Sequence, residues 1–310
     1  MALHPTDPRP GRGILLMIGA VTLFTVMTSL IKAADRVPAG QAVFFRAFVT
    51  VPLLLCWFGA KGQIVDALRT SNWQGHAWRG VVGTVAMGLG FWGLKYLPLP
   101  EVTALRFATP IMIVVLAALM LGERVRVVRL SAVAVGLFGV LVILWPRLTV
   151  EGSSVELFGA GIVLASALCA AFAQIFVKRM TGTEATPAIV FYFALTASLL
   201  ALLTVPFGWV WPEGWEWAFL IGAGCFGVCG QLMLTASYRW TEAGVLAPFT
   251  YVSMVWAILI GWFVFAEVPT VAMLLGSALI IGAGVAIFLR ERQLGLRRAT
   301  EGKVRAKGWQ

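Results

Sequence analysis

The sequence contains little charge, and most of that charge is basic. Only 12% of the 310 residues are charged, 14 of them acidic, and the two histidines are His4 and His76. Hydrophobic residues make up 60% of the chain, and the mean hydropathy is +0.89. A water-soluble domain has too little interior to hold so large an apolar fraction, so the composition excludes that class. We therefore predict a polytopic membrane protein.

Catalytic and metal-binding patterns are also missing. The sequence has no P-loop, no zinc-type cluster of His, Cys and Asp, and no nucleophile with a base beside it. Cys225 and Cys229 share a helix face but have no histidine or carboxylate near them, and all four cysteines are predicted to be buried packing thiols. No enzyme activity, cofactor or metal is expected. A channel is disfavoured too, because it would need rings of charge or a filter loop.

The apolar residues are collected into runs long enough to cross a bilayer. A transmembrane helix needs roughly 20 apolar residues, and backbone polar groups in lipid must be paired within the protein. The sequence therefore predicts an all-α membrane protein with ten transmembrane helices. These spans are predicted at residues 13–33, 38–59, 75–95, 101–120, 128–146, 156–179, 186–208, 215–238, 243–265 and 271–290.

Basic residues are distributed unevenly between the two sets of loops. If both termini share one side, 18 Lys and Arg residues, Arg79 among them, lie on that side, and four lie on the other. Cytoplasmic loops retain positive charge, so both termini are predicted in the cytoplasm of a bacterium, with the chain in its inner membrane. The net charge of +10 indicates attraction to anionic lipid at the inner face more than nucleic-acid binding. The basic tail, residues 291–310, is predicted to be solvated.

The two halves of the chain resemble each other. Residues 13–146 are predicted to form the first five-helix repeat and 156–290 the second, with residues 1–12 as a short leading tail. Five spans per half place the second repeat upside down in the membrane, an arrangement that provides alternating access to a site near the midplane. The overlay pairs Gly13 with Gly159, Lys32 with Lys178, Gly80 with Gly222, Gly88 with Gly230, Tyr96 with Tyr238, and Glu123 with Glu267.

Two long motifs resemble a known family. They are PLPEVTALRFATPIMIVVLAALMLGERV, with LGE ending at Glu123, and TEAGVLAPFTYVSMVWAILIGWFVFAEVP, with FAE ending at Glu267 and no Gly before it. With FFR at Arg46, they are similar to the EamA-type branch of the drug/metabolite transporter superfamily. The resemblance implies a 5+5 inverted bundle that moves small metabolites. Export of an amino acid or related compound is the first expectation, and uptake of a vitamin such as riboflavin is the alternative.

Two arginines interrupt the apolar spans. Arg46 lies about 12 Å of helix from the end of its span, so it is expected to face the bundle or a water-filled cavity. Arg106 lies in the fourth span, and guanidinium groups are well shaped to hold a carboxylate or phosphate. The alternative, favoured for Arg106, is that each arginine caps carbonyls or pairs with an acid such as Glu101. No acidic residue lies in the middle of a span, which disfavours a proton relay and leaves facilitated diffusion, exchange and coupling through a titrating substrate open.

Further residues are candidates for the cavity and its gates. Glutamine at membrane depth faces protein, where it contacts substrate or bonds a neighbouring helix. Proline removes a backbone hydrogen bond, which produces either a hinge or a static kink. The glutamates at the two motif ends are predicted to be anchors or gate contacts. The candidate substrate contacts beside the two arginines are Trp92, Gln174, Tyr192, Gln231 and Tyr251, and the candidate hinges or gates are Pro110, Pro248, Glu123 and Glu267.

Overall fold

The computed structural model describes residues 10–109, 111–112, 116, 127–149, 154–180, 184–240, 246–286 and 289. These residues are helical apart from connecting turns and loops, and no strand occurs among them, which confirms the predicted all-α class. The helices are α1 (Pro10–Ala33), α2 (Ala39–Phe48), α3 (Thr50–Ala60), α4 (Ile64–Leu68), α5 (Trp73–Gly93), α6 (Leu99–Arg106), α7 (Val127–Thr149), α8 (Ser154–Met180), α9 (Thr186–Leu202), α10 (Trp215–Trp240), α11 (Val252–Phe265) and α12 (Val271–Ala286).

Many large apolar side chains lie on the outside of the bundle, as expected for a surface that meets lipid. Phe263 is 77% exposed and Leu199 is 57% exposed. The prediction of buried thiols is wrong for three of the four cysteines, which are exposed, because an apolar side chain facing lipid needs no protein cover. Within the described ranges, four helical stretches are long and apolar enough to cross a membrane: Gly11–Ala33, Ala39–Ala60, Ser154–Val177 and Trp215–Leu234.

Helices of the first half pack mainly against helices of the second half. α1 lies along α10, and α5 lies along α8. In the repeat, α1 corresponds to α8 and α5 to α10, so these two extensive contacts are equivalent. The pairs α2 with α9 and α6 with α11 also join corresponding spans. One core therefore draws on both halves, with buried residues such as Val43, Leu105, Leu220 and Met273.

The two ends of the bundle are marked by different polar contacts. α5 begins beside Glu184, which accepts a hydrogen bond from the backbone N–H of Ser71, and it ends beside Lys95, which donates to the carbonyl of Asp35. We call these the Glu184 end and the Lys32 end. α1 finishes at the Lys32 end, whereas its counterpart α8 finishes at the Glu184 end. The second half is therefore inverted relative to the first.

Prolines accompany interruptions in three of the predicted spans. α2 and α3 divide the second span, because Pro52 lacks the N–H that would continue the helical bonding. α6 ends at Arg106, four residues before Pro110, which itself lies outside the described residues. The ninth span begins as a 3₁₀ turn, Ala247–Tyr251, that contains Pro248. The sequence predicted a hinge or a static kink at Pro110 and Pro248, and it predicted no interruption at Pro52.

Candidate functional site

Arg46 lies one turn before the break between α2 and α3. The Thr50 hydroxyl donates to the Arg46 carbonyl at 3.1 Å, which supports the backbone next to the break. The Arg46 side chain crosses to α10, where a Cβ added at Gly227 would lie 3.4 Å from its Nε. Its guanidinium carbon lies 5.7 Å from the centre of the Phe193 ring on α9. Because Gly227 lies near the midpoint of α10, Arg46 extends into the middle of the bundle.

Arg106 is the last residue of α6. Its neighbours Leu105 and Ala108 are fully buried, whereas the Arg106 side chain is exposed. A Cβ added at Gly90 of α5 would lie 3.8 Å from its Nη1. In a continuous helix the Arg106 carbonyl would bond the N–H of residue 110, and proline has none. The helix therefore ends where this side chain enters the bundle.

Arg79 is a third interior arginine, which the sequence analysis counted among the loop residues. It lies on α5, and its guanidinium carbon is 4.0 Å from the centre of the Phe193 ring. Its Nε and Nη1 are buried without a hydrogen-bond partner. Helical spacing is the signal that could have found it, since Arg79, Gly83 and Gly90 share one face of α5.

Arg46, Arg79 and Arg106 form one group of positive charges, which we call the arginine cluster. Arg46 is close enough to Arg106, and Arg79 to Arg46, for their charges to interact. In the part of the chain that the structure describes, no acidic residue forms an ion pair with any of the three. Buried charge without a partner is unfavourable. A bound anion would supply the missing hydrogen-bond acceptors and the opposite charge.

A cavity of about 590 Å³ lies at the Lys32 end of the bundle. Its lining includes Ala42, one helical turn before Arg46 on α2, and Phe91, which follows Gly90 on α5. One helical turn, roughly 5.4 Å, therefore separates this part of the lining from the cluster. Lys32 and Glu267 line the same cavity.

Glu267 connects three spans at the Lys32 end. Its Oε1 pairs with Lys32 Nζ at 2.6 Å, and its Oε2 accepts a hydrogen bond of 2.9 Å from the backbone N–H of Leu99, at the start of α6. The Glu267 backbone N–H donates to the carbonyl of Gly261 at 2.8 Å. Ala266, just before it, has a left-handed φ of 54°. These contacts join the two halves above the cavity.

Glu184 joins the two halves at the opposite end. It accepts hydrogen bonds from the backbone N–H groups of Ser71 and Asn72, each at 3.1 Å, and its Oε2 lies 3.3 Å from His76 Nε2. Burial disfavours the charged carboxylate, but these donors outweigh burial and hold the pKa of Glu184 below its ordinary value. The sequence analysis missed this residue because an acid in a short loop carries no distinguishing pattern.

Tyr251 lies where two broken spans meet. Its ring packs edge to face against Phe107, the residue after Arg106, with ring centres 5.1 Å apart. Tyr251 ends the 3₁₀ turn that contains Pro248, and its hydroxyl reaches the backbone of Gly284 on α12. The interruptions of the fourth and ninth spans are therefore in direct contact.

The other two aromatic candidates lie at opposite ends of the bundle. Trp92 packs edge to face on Phe158 near the Lys32 end, with ring centres 5.7 Å apart. The Tyr192 hydroxyl donates to the Leu68 carbonyl at 2.9 Å, and its ring centre lies 4.7 Å from that of His76 at the Glu184 end. These contacts fix helices to each other, and a substrate contact by either residue stays a prediction.

The remaining candidates are two glutamines and two positions outside the described residues. Gln174 is exposed on α8, and Gln231 is half-buried on α10. A substrate contact by either glutamine stays a prediction. Pro110 and Glu123 lie outside the described residues, so their predicted roles as hinge and gate are untested.

Comparison with known proteins identifies relatives along the whole chain. The model of the EamA-like transporter family matches twice, at residues 11–145 and 157–289. The chain is 30% identical over 277 residues to the pseudopaline exporter of Pseudomonas aeruginosa, covering 89% of this chain and 95% of that protein. It is also 29% identical over 291 residues to a riboflavin transporter of Brucella anthropi, covering 90% and 97%.

Two further matches extend this group. An S-adenosylmethionine uptake transporter of Rickettsia felis is 27% identical over 263 residues, covering 85% of this chain and 87% of that protein. A protein crystal structure with 23% sequence identity matches with a TM-score of 0.65 over 92% of this chain and 99% of that one, and it shows the same fold.

Proposed function

This chain belongs to the EamA-like transporter family, and from that membership we propose that its arginine cluster binds the anionic group of a small metabolite during transport across the membrane. The observation that carries the proposal is the absence, among the described residues, of any acidic partner for Arg46, Arg79 or Arg106. Arg46 is the central contact, since its Nε is buried without a partner and its charge interacts with that of Arg106.

The proposed movement is alternating access between two inverted repeats, residues 13–146 and 156–290. In a bundle of two inverted repeats, a pseudo-two-fold axis relates the two ends, so that each end can close in the same way. The substrate site lies between the two ends. The Lys32–Glu267 ion pair closes the end above the cavity, and the Glu184 contacts tie the opposite end. In the proposed cycle these contacts break and reform in turn, which exposes the arginine cluster to one side at a time.

The proposed orientation places the Lys32 end outside and both termini in the cytoplasm of a bacterial inner membrane. Support comes from the excess of basic residues in the loops of the opposite side. The same excess favours anionic lipid as a partner at the inner face. A membrane-impermeant thiol reagent tests this orientation, because a cysteine replacing the cavity-lining Ala39 should react from outside the cell in a background without native cysteines.

The first candidate substrate is an amino acid or a related metabolite that is exported. A carboxylate held by Arg46 explains the unpartnered guanidinium, and one relative is named as an exporter. Uptake of a flat vitamin such as riboflavin is the second candidate. The aromatic contact between Phe107 and Tyr251, beside Arg106, favours a flat ligand, and one relative is named as a riboflavin transporter.

The test is counterflow of a labelled substrate into proteoliposomes, with the substrate first chosen by thermal-shift screening of the purified protein. Arg46→Leu is expected to abolish saturable counterflow while the protein remains monodisperse and keeps its helical content. Arg69→Gln is the matched control, because it removes an exposed charge at the Glu184 end. An unchanged transport rate in Arg46→Leu would remove this residue from the site.

A further inference from the structure

Resting on the proposed function, we infer that the transported metabolite carries at least two negative charges and that Arg79 binds the second. The substrate class is a small organic polyanion, either a di- or tricarboxylate or a phosphate ester. The inference depends on the number and spacing of the guanidinium groups around one aromatic ring.

Arg79 and Arg46 approach the same side chain from different helices. The guanidinium carbons lie 4.0 and 5.7 Å from the centre of the Phe193 ring, so they are no further apart than the sum of these distances. Phe193 itself is 7% exposed and packs with Ala47 of α2 and Ala197 of α9. The ring is therefore a fixed platform that both guanidinium groups contact.

The platform leaves the hydrogen-bonding capacity of Arg79 unused. A cation–π contact offers an aromatic ring and no acceptor oxygen to the N–H groups of the guanidinium. Nε and Nη1 of Arg79 are buried and have no acceptor. Static packing on Phe193 would therefore leave these donors permanently unsatisfied, which is rare for buried polar groups. A ligand with acceptor oxygens satisfies them.

A single negative charge is too little for this site. One carboxylate engages one guanidinium with two parallel hydrogen bonds, which leaves the other two arginines of the cluster charged and without a partner. Coulomb repulsion between uncompensated cations is strong where protein and lipid exclude water. A ligand with two anionic groups bridges Arg46 and Arg79, or Arg46 and Arg106, and reduces that repulsion.

The two arginine pairs, Arg46 with Arg79 and Arg46 with Arg106, differ in their surroundings. The guanidinium of Arg106 is exposed to open space, whereas Arg79 has buried donors on the side of the bundle nearer His76 and the Glu184 end. Arg46 lies between them electrostatically, since it interacts with both. We expect the second anionic group to bind Arg79, where the unsatisfied donors are.

The experiment measures ligand-induced thermal shifts of the purified full-length protein, in detergent, with pairs of ligands that differ in charge but little in size. The pairs are succinate with its monomethyl ester, and riboflavin 5′-phosphate with riboflavin. The dianion of at least one pair is expected to bind about 10-fold tighter or more than its partner. The first pair reports carboxylates, and the second reports a phosphate ester.

Arg79→Gln should remove that preference while the less charged ligand of the pair still binds. Arg69→Gln, which removes an exposed charge, should keep the preference and controls for general attraction to a basic protein. Equal binding within both pairs would overturn the inference but leave the proposed function intact. A preference that persists in Arg79→Gln would remove Arg79 from the site. If no anion shifts the wild type, or Arg46→Leu binds normally, the proposed function fails as well.

Discussion

The guanidinium carbon of Arg46 on α2 lies 5.7 Å from the centre of the Phe193 ring on α9, so the contact joins the two halves of the chain. A two-fold axis brings equivalent positions of the two repeats face to face where it passes between their helices. α2 and α9 are such a pair and are in direct contact. At this contact α2 contributes a cation and α9 an aromatic ring, so the site is asymmetric although the scaffold is symmetric.

Phe193→Leu keeps much of the volume but removes the aromatic face that both guanidiniums use. Each cation–π contact contributes roughly 0.5–2 kcal/mol, so the variant should lose more apparent thermal stability than Phe191→Leu on the same helix. It should also weaken anion binding, because Arg46 and Arg79 lose their common platform. Differential scanning fluorimetry and the ligand shifts measure both effects. Equal stability of the two variants would contradict the expectation.

Glu267→Gln should destabilise the Lys32 end. Both side chains of the ion pair are mostly buried, with 14% and 16% of their surface exposed, and the variant leaves Lys32 without its counter-charge. We expect a loss of roughly 1–3 kcal/mol in the free energy of unfolding. Glu213→Gln breaks the exposed pair with Arg36 and is the control, which should leave the apparent Tm nearly unchanged. Similar shifts in the two variants would show that burial of the pair is unimportant.

Gly276→Ala should separate α12 from α7. A Cβ at Gly276 would lie 2.5 Å from the carbonyl oxygen of Gly139, and backbone moves less readily than a flexible side chain. The variant should lower the apparent Tm, since overpacking typically costs about 1–3 kcal/mol. Gly282 on the same helix has open space where a Cβ would lie, so Gly282→Ala should not lower the apparent Tm. The prediction fails if both variants melt alike.

Ala266→Gly is expected to stabilise the protein. Ala266 has a φ of 54°, a left-handed conformation that costs an L-residue roughly 1–2 kcal/mol and costs glycine almost nothing. The first motif has Gly122 at the equivalent position. The added chain entropy of glycine offsets part of the gain, so the net increase should be about 0.5 kcal/mol. Ala77→Gly, at an exposed helical position, should change the apparent Tm in the opposite direction.

Stability should fall in acid partly through Glu184. Its pKa is lower in the folded protein than its ordinary value of 4.5, because donors from Ser71, Thr70 and His76 outweigh burial. The contribution is therefore complete above the unfolded pKa and is lost as the pH falls through the lower folded pKa. Thermal unfolding from neutral pH downward should show this loss in the wild type. Glu184→Gln should flatten the curve, and identical curves would contradict the assignment.

The sequence predicted the helices well because hydropathy and backbone pairing act locally. Each apolar run had to become a helix in lipid, and the described part of every predicted span is mainly helical. Where Pro52 and Pro248 stand, the run of apolar residues continued but the backbone bonding did not. Hydropathy reports side-chain character alone, so the break at Pro52 was not predicted, whereas proline chemistry marked Pro248 as a candidate hinge or kink. The depth of Arg46 in the membrane was predictable from the sequence, because the rise per residue fixes the distance along a helix.

What the sequence determined by itself was the membrane class, the spans, the repeat and the presence of arginines at membrane depth. Only the tertiary structure decided that Arg79 lies inside the bundle, where it and Arg46 contact the same Phe193 ring. It also decided that Glu267 forms an ion pair with Lys32. The physical reason is that helical periodicity gives each helix its faces, but the partner of a face depends on helices far away along the chain. Those partners decide which charges inside the bundle are compensated. They therefore also decide the kind of ligand that the site requires.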